Sequence, residues 1–114
     1  MKLITRPQFA KLLQNGLQSQ NDENFVGTPV IKLFNPSGAA TWLLSEVDPN
    51  DPDRAFGLCD LGMGSPELGY VSIEELSTVK GAFNLGIERD IHWVAKKDLN
   101  EYAREARAEQ RIVA

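Results

Sequence analysis

Cysteine and histidine occur once each in the 114 residues, as Cys59 and His92. A lone cysteine excludes an internal disulfide framework and a cysteine-built metal site. It fits a reducing compartment, so a cytoplasmic setting is expected. A lone histidine means that any Ser–His or Cys–His pair has to use His92. Cys59 lies within a hydrophobic run, where cysteine packs as a small apolar residue. No Gly-x-Ser-x-Gly elbow occurs. The Gly62-x-Gly64 turn has no third glycine and no following Lys-Ser/Thr, so it is no phosphate cradle. Positive φ in a tight turn is the use expected of those two glycines. Apolar runs long enough for a membrane span are missing, and residues 1–7 lack the apolar core of a secretory signal. Basic clusters are confined to Lys96-Lys97 and the tail arginines. A nucleic-acid partner is therefore not expected, and stacking of single strands on Trp42, Trp93, Tyr70 and Tyr102 would lack its basic groove. The two tryptophans are expected to anchor the core instead.

What is present is ordinary globular composition, 42% hydrophobic and 25% charged, at a length suited to one domain. Thr5 with Gln8 three residues on fits a capping box, and Ile4 and Phe9 are placed as its hydrophobic staple. Pro7 suits the first turn. Phe9, Leu12, Leu13 and Leu17 mark one helical face, with Gly16 and the polar residues 18–24 expected to end the helix. Short strand-like runs follow at 30–34, 41–47, 55–61 and 68–71. Asn35-Pro36-Ser37-Gly38 turns the chain between the first two, and residues 48–53 read as a rigid polar loop outside any ladder. Ser72 with Glu75 opens a second, short helix expected to stop near Lys80-Gly81. Residues 87–94 alternate as a further strand, with Ile87, Ile91 and Trp93 on one side and Glu88, Asp90 and His92 on the other. Asp98 and Glu101 then cap a mixed-charge helix whose thin apolar stripe is Leu99, Tyr102, Ala103 and Ala106.

Charge is unevenly spread. Residues 46–75 carry eight acids against Arg54 alone, whereas the whole chain is only −4. Such a field repels nucleic acid and attracts basic partners if the acids share a surface. Glu46, Asp48, Asp51, Asp53, Asp60 and Glu67 are the partner-binding candidates. A solvated face that maintains solubility is the alternative. Glu88-x-Asp90-x-His92 is the metal candidate, because a strand would align two carboxylates and an imidazole, ligands that divalent metals accept. Glu46 and Asp60 would add to that set from neighbouring strands. The alternative is a polar outer strand face with Arg89 ion-paired nearby. A calcium loop at 48–53 fails because Pro52 occupies a ligand position. Arg104, Arg107 and Arg111 recur at helical spacing and would dock an acidic surface, a second copy of the chain included.

Several short motifs occur in fixed order: Lys32-Leu33-Phe34 with Pro36, Trp42 with Glu46, Phe56-Gly57-Leu58, Glu67-Leu68-Gly69-Tyr70, Glu75-Leu76, and Gly86-Ile87-Glu88-Arg89-Asp90. In this combination the chain resembles the bacterial domain-of-unknown-function family 2958 over roughly residues 1–95. The resemblance brings no catalytic residues and no cofactor. It implies a small accessory protein of plasmids, phages and other mobile elements, with a role such as countering host defence.

The expected fold is α+β: an antiparallel sheet of about five strands with an N-terminal helix, a short inserted helix and a C-terminal helix. Residues 1–97 are expected to form the domain and 98–114 a charged terminal helix, with all helices on one sheet face. The expected function is non-enzymatic binding of a host or element protein through an acidic surface. The alternatives are a metal-binding module or metal-dependent enzyme centred on Glu88, Asp90 and His92, and a regulatory DNA-binding protein using the basic tail.

Overall fold

The computed structural model describes residues 3–80 and 85–114. The elements are α1 (Arg6–Asn21), β1 (Ile31–Phe34), β2 (Thr41–Asp48), β3 (Asp51–Asp60), β4 (Glu67–Ser72), α2 (Ile73–Thr78), β5 (Glu88–Arg89) and α3 (Leu99–Glu109). The strands make one antiparallel sheet in the order β4-β3-β2-β1-β5. The fold is α+β.

Local chemistry sets the helix starts. The Thr5 hydroxyl accepts from the Gln8 N–H at 3.3 Å while the Gln8 side chain accepts from the Thr5 N–H at 3.0 Å, closing the capping box. Ser72 caps α2 by accepting from the Glu75 N–H, and Asp98 caps α3 by accepting from the Glu101 N–H. Helix α1 does not end at Gly16 but continues to Asn21. Gly16 is where the helix lies closest to the sheet: a Cβ there would sit 2.0 Å from the Val47 carbonyl oxygen. Glycine here permits contact between helix and strand rather than a stop. Beside it, the buried Asn15 amide donates to the Ser45 carbonyl at 2.9 Å.

The stretch 48–53 is not a loop outside the ladder. Asp48 pairs with Asp51, and Pro49 and Asn50 form the connection, with the Asp48 carboxylate accepting from the Asn50 N–H at 2.9 Å. The register then slips between Asp48 and Val47, whose partner is Ala55, so residues 52–54 bulge. Proline is compatible with a strand at such a bulge, because no ladder hydrogen bond is asked of its nitrogen. Gly62 and Gly64 take the expected positive φ, 81° and 84°. Helix α2 ends at Thr78, ahead of the expected stop, and Gly81 lies outside the described residues.

The helices cover both faces of the sheet, not one. Leu12 of α1 and Leu76 of α2 join Ile31, Leu33, Trp42, Leu44, Val47 and Ala55 in one core layer. On the other face Leu43 and Leu58 meet Leu99, Tyr102, Ala103 and Ala106 of α3, with Ile112 beyond it. Strand alternation gives a central sheet two apolar faces, and each needs a cover. The narrow stripe of α3 supplies the second. Trp42 is buried; Trp93 is half-buried against Tyr102, ring centroids 6.0 Å apart. Arg111 falls after α3, behind the left-handed Gln110, so it does not continue the Arg104–Arg107 stripe as helix. Among the described residues no helix is long and apolar enough to cross a membrane.

Candidate partner-binding surface

The eight-residue strand expected at 87–94 is only two residues long, Glu88–Arg89. The Asp90 N–H still donates to the Lys32 carbonyl at 2.9 Å, but the chain turns there, and the Asp90 carboxylate accepts from the His92 N–H at 3.2 Å. Its other oxygen lies 4.0 Å from the Lys32 ammonium. Ile91 is exposed rather than sharing a buried side with Ile87. The period-two alignment that would have gathered Glu88, Asp90 and His92 is therefore lost. Among the described residues no three His, Cys, Asp or Glu side chains are grouped to hold a metal ion. The Arg89 guanidinium donates to the Leu3 carbonyl at 2.8 Å, tying β5 to the approach to α1.

The acidic candidates separate by position along β3. Asp60, at one end, is buried and accepts from the Ile112 N–H at 2.9 Å and the Gly62 N–H at 2.8 Å. It holds the C-terminal segment to the sheet. Glu67 is exposed on β4, opposite Cys59 at the same end. Asp53 and Asp51 lie seven and nine positions from Asp60 toward the other end, roughly 23 and 30 Å along the strand, with Asp48 paired to Asp51 there. Glu46 is half-buried; burial pushes its pKa up, partly offset by a hydrogen bond with Ser19. Asp53 is exposed and accepts from both the Ser72 hydroxyl and the Glu74 N–H, which hold its pKa below the ordinary carboxylate range. The six acids do not form one surface.

A different acidic surface is built at the Asp51 end. A groove of about 500 Å³ runs along β4 and α2, lined by Tyr70, Val71 and Ser72 on the strand and Glu75, Leu76 and Val79 on the helix. Asp51, Asp53 and Arg54 close one end, and Leu61 reaches its lining too. Tyr70, Leu61 and Val79 are exposed despite their size, at 51%, 60% and 41%. The Arg54 guanidinium stacks 3.9 Å above the Tyr70 ring, which also packs on Phe56 with centroids 5.0 Å apart. Three carboxylates against one guanidinium leave the groove negative. Glu75 and Tyr70 are not among the six acidic partner-binding candidates of the sequence, and Tyr70 enters there only as a stacking aromatic. Their signals were a capping-box acid in the first turn of α2 and an aromatic in the strand immediately before it.

A larger groove, about 960 Å³, lies between the start of α1, residues 52–53, α2 and Arg89, with Leu3, Ile4, Phe9 and Ile73 on its walls. Cys59 is partly buried, and burial pushes its thiol up to about 11, so it is no thiolate near neutral pH.

A family described as "Protein of unknown function (DUF2958)" matches residues 3–113, and the chain belongs to that family. The match runs through α3, beyond the 1–95 segment that carries the resemblance in the sequence. No curated protein and no solved structure matches the chain.

Proposed function

We propose that this family member is a non-enzymatic binding protein that takes a basic protein partner in the groove along β4 and α2. The observation that carries the reading is the combination in that groove of exposed Tyr70, Leu61 and Val79 with the carboxylates of Asp51, Asp53 and Glu75. Exposed apolar and aromatic side chains within a charged rim are the make-up of a protein interface. The sign of the rim selects basic partners and speeds encounter with them. In the mobile-element setting that the resemblance implies, the partner would be a host or element protein, a defence component among them.

The test is a pull-down from nuclease-treated bacterial lysate, comparing the wild type with an Asp51→Asn, Glu75→Gln double variant. One stoichiometric basic partner, retained by the wild type and released by the variant or by high salt, is expected, because exposed charge pairs are screened. A partner held equally by both proteins at low and high salt would overturn the acidic-groove reading.

A further inference from the structure

Strand β4 is the outermost strand of the sheet, and among the described residues one of its two hydrogen-bonding edges has no strand beside it. The opposite edge belongs to β5, which is only two residues long. Natural sheets blunt such edges with lysine, proline or a bulge. Residues 67–72 contain no lysine or proline. Their pairing with residues 54–59 of β3 also runs without a register break.

The free edge adjoins the negative groove, since Tyr70, Val71 and Ser72 belong to both. Val71 packs toward the core layer that includes Leu76 of α2. Strand alternation puts Gly69 on the same side, and a Cβ at Gly69 would meet nothing within 4 Å. The face of β4 beside Val71 is therefore open at this position.

We propose, resting on the reading of this groove as a basic-partner site, that the partner binds as an extended segment added to the free edge of β4. Main-chain hydrogen bonds to β4 supply attachment, and the side chains that face α2 supply the recognition. Apolar residues among them pack on Val71, Leu76 and Val79. Cationic residues reach Asp51, Asp53 and Glu75. The edge accommodates about six residues of extended chain, roughly 20 Å. The occupant is a basic, β-forming peptide segment of another protein.

The probe is a fluorescein-labelled hexapeptide with lysine, valine and lysine at the odd positions and threonine at the even ones, titrated against the full chain by fluorescence anisotropy. Two further peptides carry N-methyl groups on the odd or the even residues. A strand uses only alternate N–H groups toward its neighbour, so one methylated set should weaken binding at least ten-fold and the other should bind like the parent. Amide exchange at 67–72 should slow in the complex.

Equal binding by both methylated peptides, with loss in the Asp51→Asn, Glu75→Gln variant, would overturn strand addition and leave the acidic groove standing. Binding unaffected by that double variant would count against the groove itself. No peptide binding at millimolar concentration would overturn the strand proposal, while the lysate comparison still judges the groove. A free chain that sediments as a dimer, with amides 67–72 already protected from exchange, would assign the edge to a second copy and overturn a basic partner.

Discussion

Asp60 and Asp53 lie on the same strand, seven positions apart, and do opposite work. Asp60 is buried and spends its carboxylate on two backbone N–H groups, one of them 52 residues away at Ile112. Asp53 is exposed and caps the beginning of α2 at the rim of a groove. Their residue type and their place in an acidic segment are the same. The difference comes from what the fold sets beside each end of β3: the returning C-terminal segment at one end, and the free groove of β4 and α2 at the other. A run of like charges is therefore not a surface until its side chains are assigned partners.

The largest effect is expected at the closed end. Asp60→Ala leaves the Ile112 and Gly62 N–H groups without their acceptor, a loss of about 2–4 kcal/mol for two such donors. Urea denaturation should show it as a lower midpoint, and amide exchange at Ile112 should accelerate. A variant as stable as the wild type would mean that the C-terminal segment is not held by this carboxylate.

Gly16→Ala comes next. The added methyl would collide with the Val47 carbonyl, so α1 has to shift from β2 at a cost of roughly 1–3 kcal/mol. Thermal melts measure this directly. A stabilising effect would show that Gly16 behaves as an ordinary helix-interior glycine, where alanine gains up to about 1 kcal/mol.

At the open end the effect should be smaller and its pH dependence more informative. Asp53 has its pKa lowered by folding, so its contribution is present above the unfolded value near 4 and is lost as pH falls through the folded value. Asp53→Asn should therefore lower stability slightly at pH 7, by less than about 1 kcal/mol for so exposed a group. The difference should vanish toward pH 2. Glu46 has the opposite sign: its folded pKa is raised, so the ionised form is disfavoured in the folded chain at neutral pH. Glu46→Gln should leave stability at pH 7 unchanged or slightly higher, with the gain fading as pH falls through the carboxylate range. Paired urea titrations at pH 7 and pH 3 read both variants. The same direction of change in both would break the contrast.

Smallest is the thiol. Cys59 should react slowly with iodoacetamide at pH 7 and faster as pH rises toward about 11. Mass spectrometry follows the adduct, and rapid alkylation at neutral pH would contradict a buried, protonated thiol.

Much of the architecture was legible because it is local. Thr5 and Gln8, Ser72 and Glu75, and Asp98 and Glu101 are each three residues apart, and a cap needs nothing more distant. The hairpin at Asn35 and the glycine turn at 62–64 likewise carry their own chemistry. The α3 stripe was visible by period, but the face it covers was not, since period says that a helix has an apolar side and not what lies against it. Residues 87–94 misled for the same reason. Their alternation suits a strand, yet the last bond to β1 is made by the Asp90 N–H, and the chain turns there.

By itself the sequence determined where the helices begin, how most of the strands follow one another, and that residues 46–75 are strongly acidic. These depend on neighbours within a few positions. Tertiary structure alone decided that Asp60 is buried, that Pro52 fits a bulge, that Gly16 touches β2, that both sheet faces are covered, and that Tyr70 and Glu75 border one groove beside a free edge. Each of these depends on groups distant in sequence being brought within contact distance, and residue type and spacing do not specify which groups those are.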